Sequence, residues 1–397
     1  MYSSLPMTGS ECKRARIDLS ALKENYRKLT MRIGERDAHV RPIAVVKADA
    51  YGHGAPACTE ALLACGCDFF AVSCIEEALA VRKVCREAGK HADVLILGYT
   101  DPAQAKTLAD EELTQTILSP AYAEELARAA KNADVCIKTH VAVDTGMNRI
   151  GFCAHNDCEI AQAAADIAAL ANEPNLVVTG MFTHFATADS DTEAAKTLTR
   201  AQNTRYRALK ELLDARGVAI PFHHVCNSAA ALCAAETGAP ALFDGVRLGI
   251  LLYGGARHLH GTLALSPVMK LQADVIHVHT LLAGETLGYG ATYKADRDRT
   301  VAVLPIGYAD GFLRAYSGAA VTLQTARGRF RVPVIGRVCM DQTFIDVSGT
   351  DARVGDTVTL FGDSPEQLAL LASRADTIDY ECLSLISARV VRICENT

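Results

Sequence analysis

The chain has 397 residues, 50% apolar and 22% charged, with no tryptophan and a net charge of −6; that is enough for two or three domains, or one barrel with a smaller partner. No basic patch points to nucleic acid, and neither a Lys/Arg-rich amphipathic helix nor a spanning apolar run points to a membrane. The start, "MYSSLPMTGSECKR", lacks the build of a signal peptide, and the 14 cysteines, none in C-x-x-C spacing, read as free thiols in a reducing cytoplasm.

From the N-terminus to about residue 255, short apolar runs alternate with longer alanine-rich stretches. The expected strands are "RPIAVVK", "DFFAVS", "DVLILG", "TQTILS", "VCIKTHVAVD", "LVVTGMF", "FHHVCNS" and "VRLGILLYG". Between them, segments such as "IEEALAVRKVCREAGK" and "AYAEELARAAKNA" place apolar residues at three- and four-residue intervals. Eight strands, each followed by a helix, predict an α/β fold, a (β/α)8 TIM barrel. A doubly wound sheet is the competing architecture, but no G-x-G-x-x-G follows the first strand.

From residue 256 long helical patterns give way to strand-like runs: "VMKLQADVIHV", "TVAVLPIG", "AAVTLQTARGRFRVPVIG" and "QTFIDVS", with one short helix, "PEQLALLASRA". The expected organisation is a barrel over residues 13–255 and a C-terminal mainly-β domain over 256–397, with residues 1–12 packing on the second.

Active sites of such barrels lie at the carboxyl ends of the strands. There the first strand ends at Lys47, with Tyr51 and His53 in its loop, and the fifth ends at "VDTGMNR", with Asp144 and Arg149. The sixth reaches His184, the seventh gives Asn227 and Ser228 at a helix start, and the eighth carries Arg247 and Gly249. Each has a plain explanation too: a solvated lysine, a core histidine at 184, an N-cap at Ser228, an ion pair of Arg247 with Asp244. Together at one barrel end they suit pyridoxal phosphate. A lysine amine condenses with its aldehyde, and a helix start with Ser228, Gly249, Ile250 and Tyr51 could hold its phosphate. No residue spacing suggests a metal.

"AVVKADAYGHGA" closely resembles the cofactor-attachment motif of bacterial alanine racemases. "VDTGMNRIGF", "MFTHFATAD", "NSAA", "FDGVRLGILLYG", "GYGATY", "LPIGYADGF" and "GRVCMDQ" resemble that family's other signatures, in order and across both domains. The resemblance implies interconversion of L- and D-alanine by a pyridoxal-phosphate barrel working as a homodimer with shared sites. It implies Lys47 as one base and Tyr289, from the second subunit, as the other. It further implies Arg149 on the cofactor ring oxygen and the substrate carboxylate, Met340 and Asp341 closing the pocket from the partner, and Tyr308 at the mouth. Arg247 should face the pyridine nitrogen; because guanidinium keeps its proton, the ring is a weaker electron sink, which favours reprotonation over transamination. A phenol is a poor base near neutrality unless cations assist it, and His184 beside Arg247 is expected to form such a chain to Tyr289.

Two positions depart from the family pattern. Ala142 stands where many members carry a carbamylated lysine beside the arginine, so Arg149 should rely on a chloride ion or another acid; Lys138, four residues back, is too distant to substitute. Ala388 stands where a tyrosine typically binds the phosphate and narrows the pocket, so serine or larger amino acids are an alternative substrate class. Two competing functions share the barrel. Arg247 argues against a pyridoxal-phosphate decarboxylase, and the second domain with Tyr289 argues against a non-catalytic pyridoxal-phosphate protein.

Overall fold

The structure is a computed structural model that describes residues 12–35, 37–237, 243–261 and 263–396. The expected packing of residues 1–12 falls, but for Cys12, outside the described residues.

The chain opens with β1 (Lys13–Asp18) and α1 (Leu19–Gly34). Asp18 caps α1 by accepting from the N–H groups of Ser20 and Ala21, and Leu22, Tyr26, Leu29 and Ile33 bury its apolar stripe. The strands that follow are β2 (Arg41–Val45), β3 (Phe69–Val72), β4 (Asp93–Ile96), β5 (Thr114–Ile117), β6 (Ile137–Asp144), a two-residue β7 (Phe152–Cys153), β8 (Leu176–Phe182), β9 (His223–Cys226) and β10 (Gly245–Leu248). Apart from β7, they pair in parallel in the order β5-β4-β3-β2-β10-β9-β8-β6, and β5 pairs with β6 to close the barrel. Strands buried on both faces need continuous apolar runs, which "FFAV" of β3 provides.

The helical segments are α2 (Lys47–Gly52), α3 (Ala55–Ala64), α4 (Ile75–Glu87), α5 (Ala105–Asp110), α6 (Pro120–Asn132), α7 (Asp157–Leu170), α8 (Glu193–Ala215) and α9 (Ser228–Thr237). The run "VRLGILLYG" is not one strand. It leaves the sheet after Leu248 and turns into a 3-10 segment, Ile250–Tyr253. The missing eighth crossover helix is replaced by α1, whose Asn25 amide donates to the carbonyls of Leu252 and Ser266.

The second sheet contains β1, β11 (Met269–Asp274), β12 (His277–Leu281), β15 (Arg299–Leu304), β16 (Ala320–Thr325), β17 (Gly328–Ile335), β18 (Thr343–Asp346), β19 (Thr357–Phe361) and β20 (Val391–Glu395); β13 (Thr286–Leu287) and β14 (Tyr293–Lys294) form a separate small hairpin. Its order is β12-β15-β18-β17-β16-β19-β11-β1-β20. The expected single run "VMKLQADVIHV" breaks at Val275-Ile276 into β11 and β12, which sit far apart in that order. Lys13–Asp18 hydrogen-bonds between β11 and β20, so this sheet takes strands from both ends of the chain. Besides α10 (Pro365–Arg374), a second short helix that the sequence reading lacks, α11 (Asp379–Ser384), projects from this domain onto the barrel.

Candidate active site

The residues after β2 do not form a loop. Ala48, Asp49, Ala50 and Tyr51 all adopt left-handed helical angles, with φ between 51° and 55°. For residues with a Cβ this costs about 1–2 kcal/mol each, so the surroundings must over-determine the turn. Glu77, from α4, accepts from the N–H of Ala48 at 2.6 Å and of Ser73 at 2.8 Å. Asp49 accepts from the N–H of Ala55. The fully buried His53 donates from Nδ1 to the carbonyls of Ala50 (2.9 Å) and Tyr51 (3.0 Å). Burial lowers its pKa to about 4, so the ring stays neutral. The turn directs Lys47 and Tyr51 into one cavity of about 700 Å³ at the carboxyl end of the barrel.

The same cavity is lined by Ala142, Asp144, Arg149, His184, Asn227, Ser228, Arg247, Gly249 and Ile250. The strand-end residues expected to form the site, His53 apart, therefore all converge there. Burial, followed by the charge of Arg149, lowers the pKa of Lys47, against a smaller opposing pull from Glu77. No ion pair neutralises its amine among the described residues, so Lys47 gives up its proton more readily than an exposed lysine does.

Arg247 is 3% exposed and has no carboxylate partner among the described residues, so the Asp244 ion pair does not form; Asp244 accepts from the N–H of His223 instead. Its Nη1 donates to Nδ1 (2.7 Å) and the carbonyl of His224, and its Nη2 to the carbonyls of Thr183 and Val225 and to Nδ1 of His184 at 3.2 Å. The guanidinium stacks over Phe182. Because it only donates, both histidines must accept at Nδ1 and carry their proton on Nε2. His224 passes its own to Nδ1 of His140 at 2.9 Å. Burial and then Arg247 hold the pKa of His184 near 3, so it is a neutral donor. Burial brings Arg247 itself down to about 10, still charged at neutral pH. Its Nε–H is left without a protein acceptor among the described residues.

At the other end of the cavity, Asn227 rather than Ser228 caps α9, accepting from the N–H of Ala230 at 2.9 Å. The Ser228 hydroxyl is therefore free to accept from the N–H of Gly249 at 2.8 Å and to direct its own proton into the cavity. Ile250 opens a 3-10 turn, where its N–H has no intrahelical acceptor. A Cβ on Gly249 would stand 2.7 Å from the Tyr51 hydroxyl, so glycine is required by the close approach. Tyr51 is 7% exposed, yet its hydroxyl has no hydrogen-bond partner among the described residues. The hydroxyl opens onto the cavity, where it can serve a ligand.

Arg149 has its N–H on Asp144, whose carboxylate also receives the N–H groups of Gly146, Met147 and Asn148. Its guanidinium makes no ion pair among the described residues, and the buried Ala142 provides none. Lys138 is exposed and lies outside the cavity.

Tyr289, Tyr308, Met340 and Asp341 do not line this cavity. All lie on the second domain and are exposed: Tyr289 by 71%, Met340 by 53% and Tyr308 by 41%. Tyr308 and Ala309 donate backbone N–H groups to the carbonyls of Cys339 and Met340, and Arg389 holds Asp341 at 2.7 Å. The last three thus form one lip.

Ala388 does not line the cavity either, which corrects the expectation that it enlarges the substrate pocket. It is exposed, in a separate depression that shares Ala48 and Ser384 with the cavity. The C-terminal domain reaches the cavity through α11 instead, with Tyr380, Glu381 and Ser384 in its lining. Sequence reasoning missed α11, as it missed Glu77. "TIDYECLSL" has too few helical turns for its period to show.

Residues 17–257 match the family model for the N-terminal domain of alanine racemase, and residues 268–394 the model for its C-terminal domain. The chain is 38% identical over 389 residues to the alanine racemase of Clostridium perfringens, covering 96% of this chain and 94% of that one. It is 37% identical to that of Clostridium novyi, over 88% of each. Among solved structures, it superposes on the alanine racemase of Streptomyces coelicolor with a TM-score of 0.86 at 31% identity, covering 98% and 99% of the two chains. With that of Bacillus anthracis, solved with bound L-Ala-P, the TM-score is 0.85 at 30% identity, covering 99% and 97%.

Proposed function

The chain belongs to the alanine racemase family and acts as an alanine racemase, an amino-acid isomerase; from that premise we propose that it binds pyridoxal phosphate in the barrel cavity and works as a homodimer, with Lys47 and a second copy's Tyr289 as its two bases. Two observations support the cofactor. The unpartnered Tyr51 hydroxyl beside the bare Gly249 backbone would suit a phosphate group, and the unpaired Lys47 amine on the same turn would suit the aldehyde. When bound, the cofactor supplies the electron sink that makes an amino acid's α-C–H acidic enough to ionise.

The protein's own tasks follow from the geometry. Ser228, Ile250 and Tyr51 offer donors at the phosphate end, beside the start of α9, and the Gly249 N–H orients the Ser228 hydroxyl. Arg247 presents its Nε–H to the ring nitrogen and, always protonated, gives up no proton to it. Lys47 takes or returns the α-proton on one face. Tyr289 does so on the other, and Nε2–H of His184 is the group of this chain that can steady the phenol's oxygen. Arg149 attracts the substrate carboxylate, and Tyr308, Met340 and Asp341 close the mouth.

The carrying observation for the dimer is the exposure of Tyr289 on the second domain, away from the chain's own cavity. A second copy whose lip covers the barrel mouth completes the site. No helix among the described residues is long and apolar enough to cross a membrane. The exposed free thiols of Cys136, Cys153, Cys158 and Cys394 support a reducing compartment such as the cytoplasm.

The deciding experiment is incubation with L-alanine in deuterated water. Racemisation with deuterium at Cα supports the reading, release of carbon dioxide would identify a decarboxylase, and neither would leave a cofactor-binding protein without this chemistry. Sedimentation, together with complementation of Lys47→Ala by Tyr289→Phe in mixed dimers, tests site sharing. Mixed dimers carry one intact site only if the two residues of each site come from different copies.

A further inference from the structure

The phosphate end of the cavity has no cation among the described residues. The charged side chains lining the cavity are Lys47, Asp144, Arg149, Arg247 and Glu381, none of them among the donors around Gly249. A dianionic phosphate there must be held by neutral donors, each of which matters.

Resting on the cofactor reading above, we infer that the hydroxyl of Tyr380, from this chain's own C-terminal domain, completes that set as a direct phosphate ligand. Tyr380 lines the cavity with its ring centroid 6.1 Å from that of Tyr51, tilted by 59°. Its hydroxyl, like that of Tyr51, has no hydrogen-bond partner among the described residues. Each phenol is pushed up by burial, to which the charge of Tyr380 adds at Tyr51 and the charges of Asp189 and Asp379 add at Tyr380.

The helix carrying Tyr380 is fixed against the barrel. Asp379 accepts from the N–H of Ala256 at 2.8 Å, and the Ser384 hydroxyl donates to the Tyr380 carbonyl. A Cβ on Gly52 would meet the Leu383 carbonyl oxygen at 2.3 Å, so α11 rests directly on the backbone that follows Lys47. The domain that offers Tyr289 to a second copy thus also closes the phosphate end of its own barrel.

The test compares pyridoxal phosphate binding to the apo forms of the wild-type chain, Tyr380→Phe and, as a control, Tyr99→Phe, which is exposed outside the cavity. Tyr380→Phe should raise the dissociation constant about tenfold, one charge-assisted hydrogen bond. It should move the phosphorus NMR resonance of the bound phosphate and leave the visible absorption at Lys47 unchanged, while Tyr99→Phe changes nothing. A Tyr380→Phe chain with the wild-type constant and phosphorus resonance overturns the inference while leaving the cofactor reading intact; its hydroxyl would then face the substrate. A wild-type chain that binds no pyridoxal phosphate overturns both.

Discussion

Nη2 of Arg247 stands 3.2 Å from Nδ1 of His184, and that contact decides which histidine nitrogen carries the proton. A guanidinium can only donate, so Nε2–H is the group available to a phenol from a second copy. Replacing His184 with phenylalanine should lower kcat about 10- to 100-fold, in the range for losing one positioned donor. KM should change little, and the acid limb of kcat/KM should move to higher pH. An unchanged pH profile would show that His184 only packs against Arg247.

Four barrel histidines stay neutral in the folded chain: His53 near pKa 4, His140 and His184 near 3, and His224 well below its ordinary value, in each case mainly through desolvation. As pH falls below about 6.5, the unfolded chain takes up protons that the folded one refuses. Their contribution to stability is therefore complete above that pH and declines towards pH 3–4. Each histidine should remove roughly 1.4 kcal/mol per pH unit within that window. Urea midpoints measured from pH 7.5 to 5 should fall steeply, and a flat profile would mean that these rings are solvated.

His53 donates through Nδ1 to the two carbonyls that end the left-handed turn. The amide nitrogen of asparagine reaches a position close to Nδ1, whereas that of glutamine reaches Nε2. His53→Asn should thus keep most activity and stability. His53→Leu should lose about 2–3 kcal/mol, since two buried carbonyls lose their donor, with a parallel loss of cofactor affinity as Lys47 and Tyr51 shift. Equal behaviour of the two variants in thermal melts would show that the turn is held without His53.

Much of this site was legible because barrel strands concentrate chemistry at their carboxyl ends. Lys47, Arg149, His184, Asn227, Ser228 and Arg247 could be placed from strand ends alone, and all line one cavity. What could not be read depends on long-range packing. "KADAY" has no glycine to announce left-handed angles, which the sequence-distant Glu77 helps to impose. Lys13–Asp18 looks like any N-terminal strand, but its partners are about 255 and 375 residues away. Ala388 reads as the missing wall because its neighbours in sequence are visible, while the ring of Tyr380 arrives from a helix too short to show a period.

Arg149 lines the cavity without a carboxylate partner among the described residues, and Ala142 beside it cannot carry a carbamate. Intact-mass measurement should therefore show no carbamylated lysine, and activity should not respond to added bicarbonate. An exchangeable anion is expected to steady the guanidinium, so replacing chloride by a bulkier anion should raise KM for alanine several-fold, as expected for losing one exposed charge contact. A carbamylated lysine beside Arg149, or indifference to the anion, would refute the respective halves of this prediction.

The ring of Tyr380, not the side chain at position 388, bounds the cavity beside Tyr51. The pocket should therefore suit alanine, with kcat/KM for L-alanine about tenfold above that for L-serine, because excluding one hydroxyl by shape alone yields modest discrimination. Tyr380→Ala, assayed at saturating cofactor, should open the wall and reduce or invert that preference. Ala388→Tyr should leave it nearly unchanged, since position 388 is exposed in a separate depression. If the unmodified chain turns over serine as well as alanine, and Ala388→Tyr abolishes this, the wall belongs to position 388 and Tyr380 does not set the substrate's size.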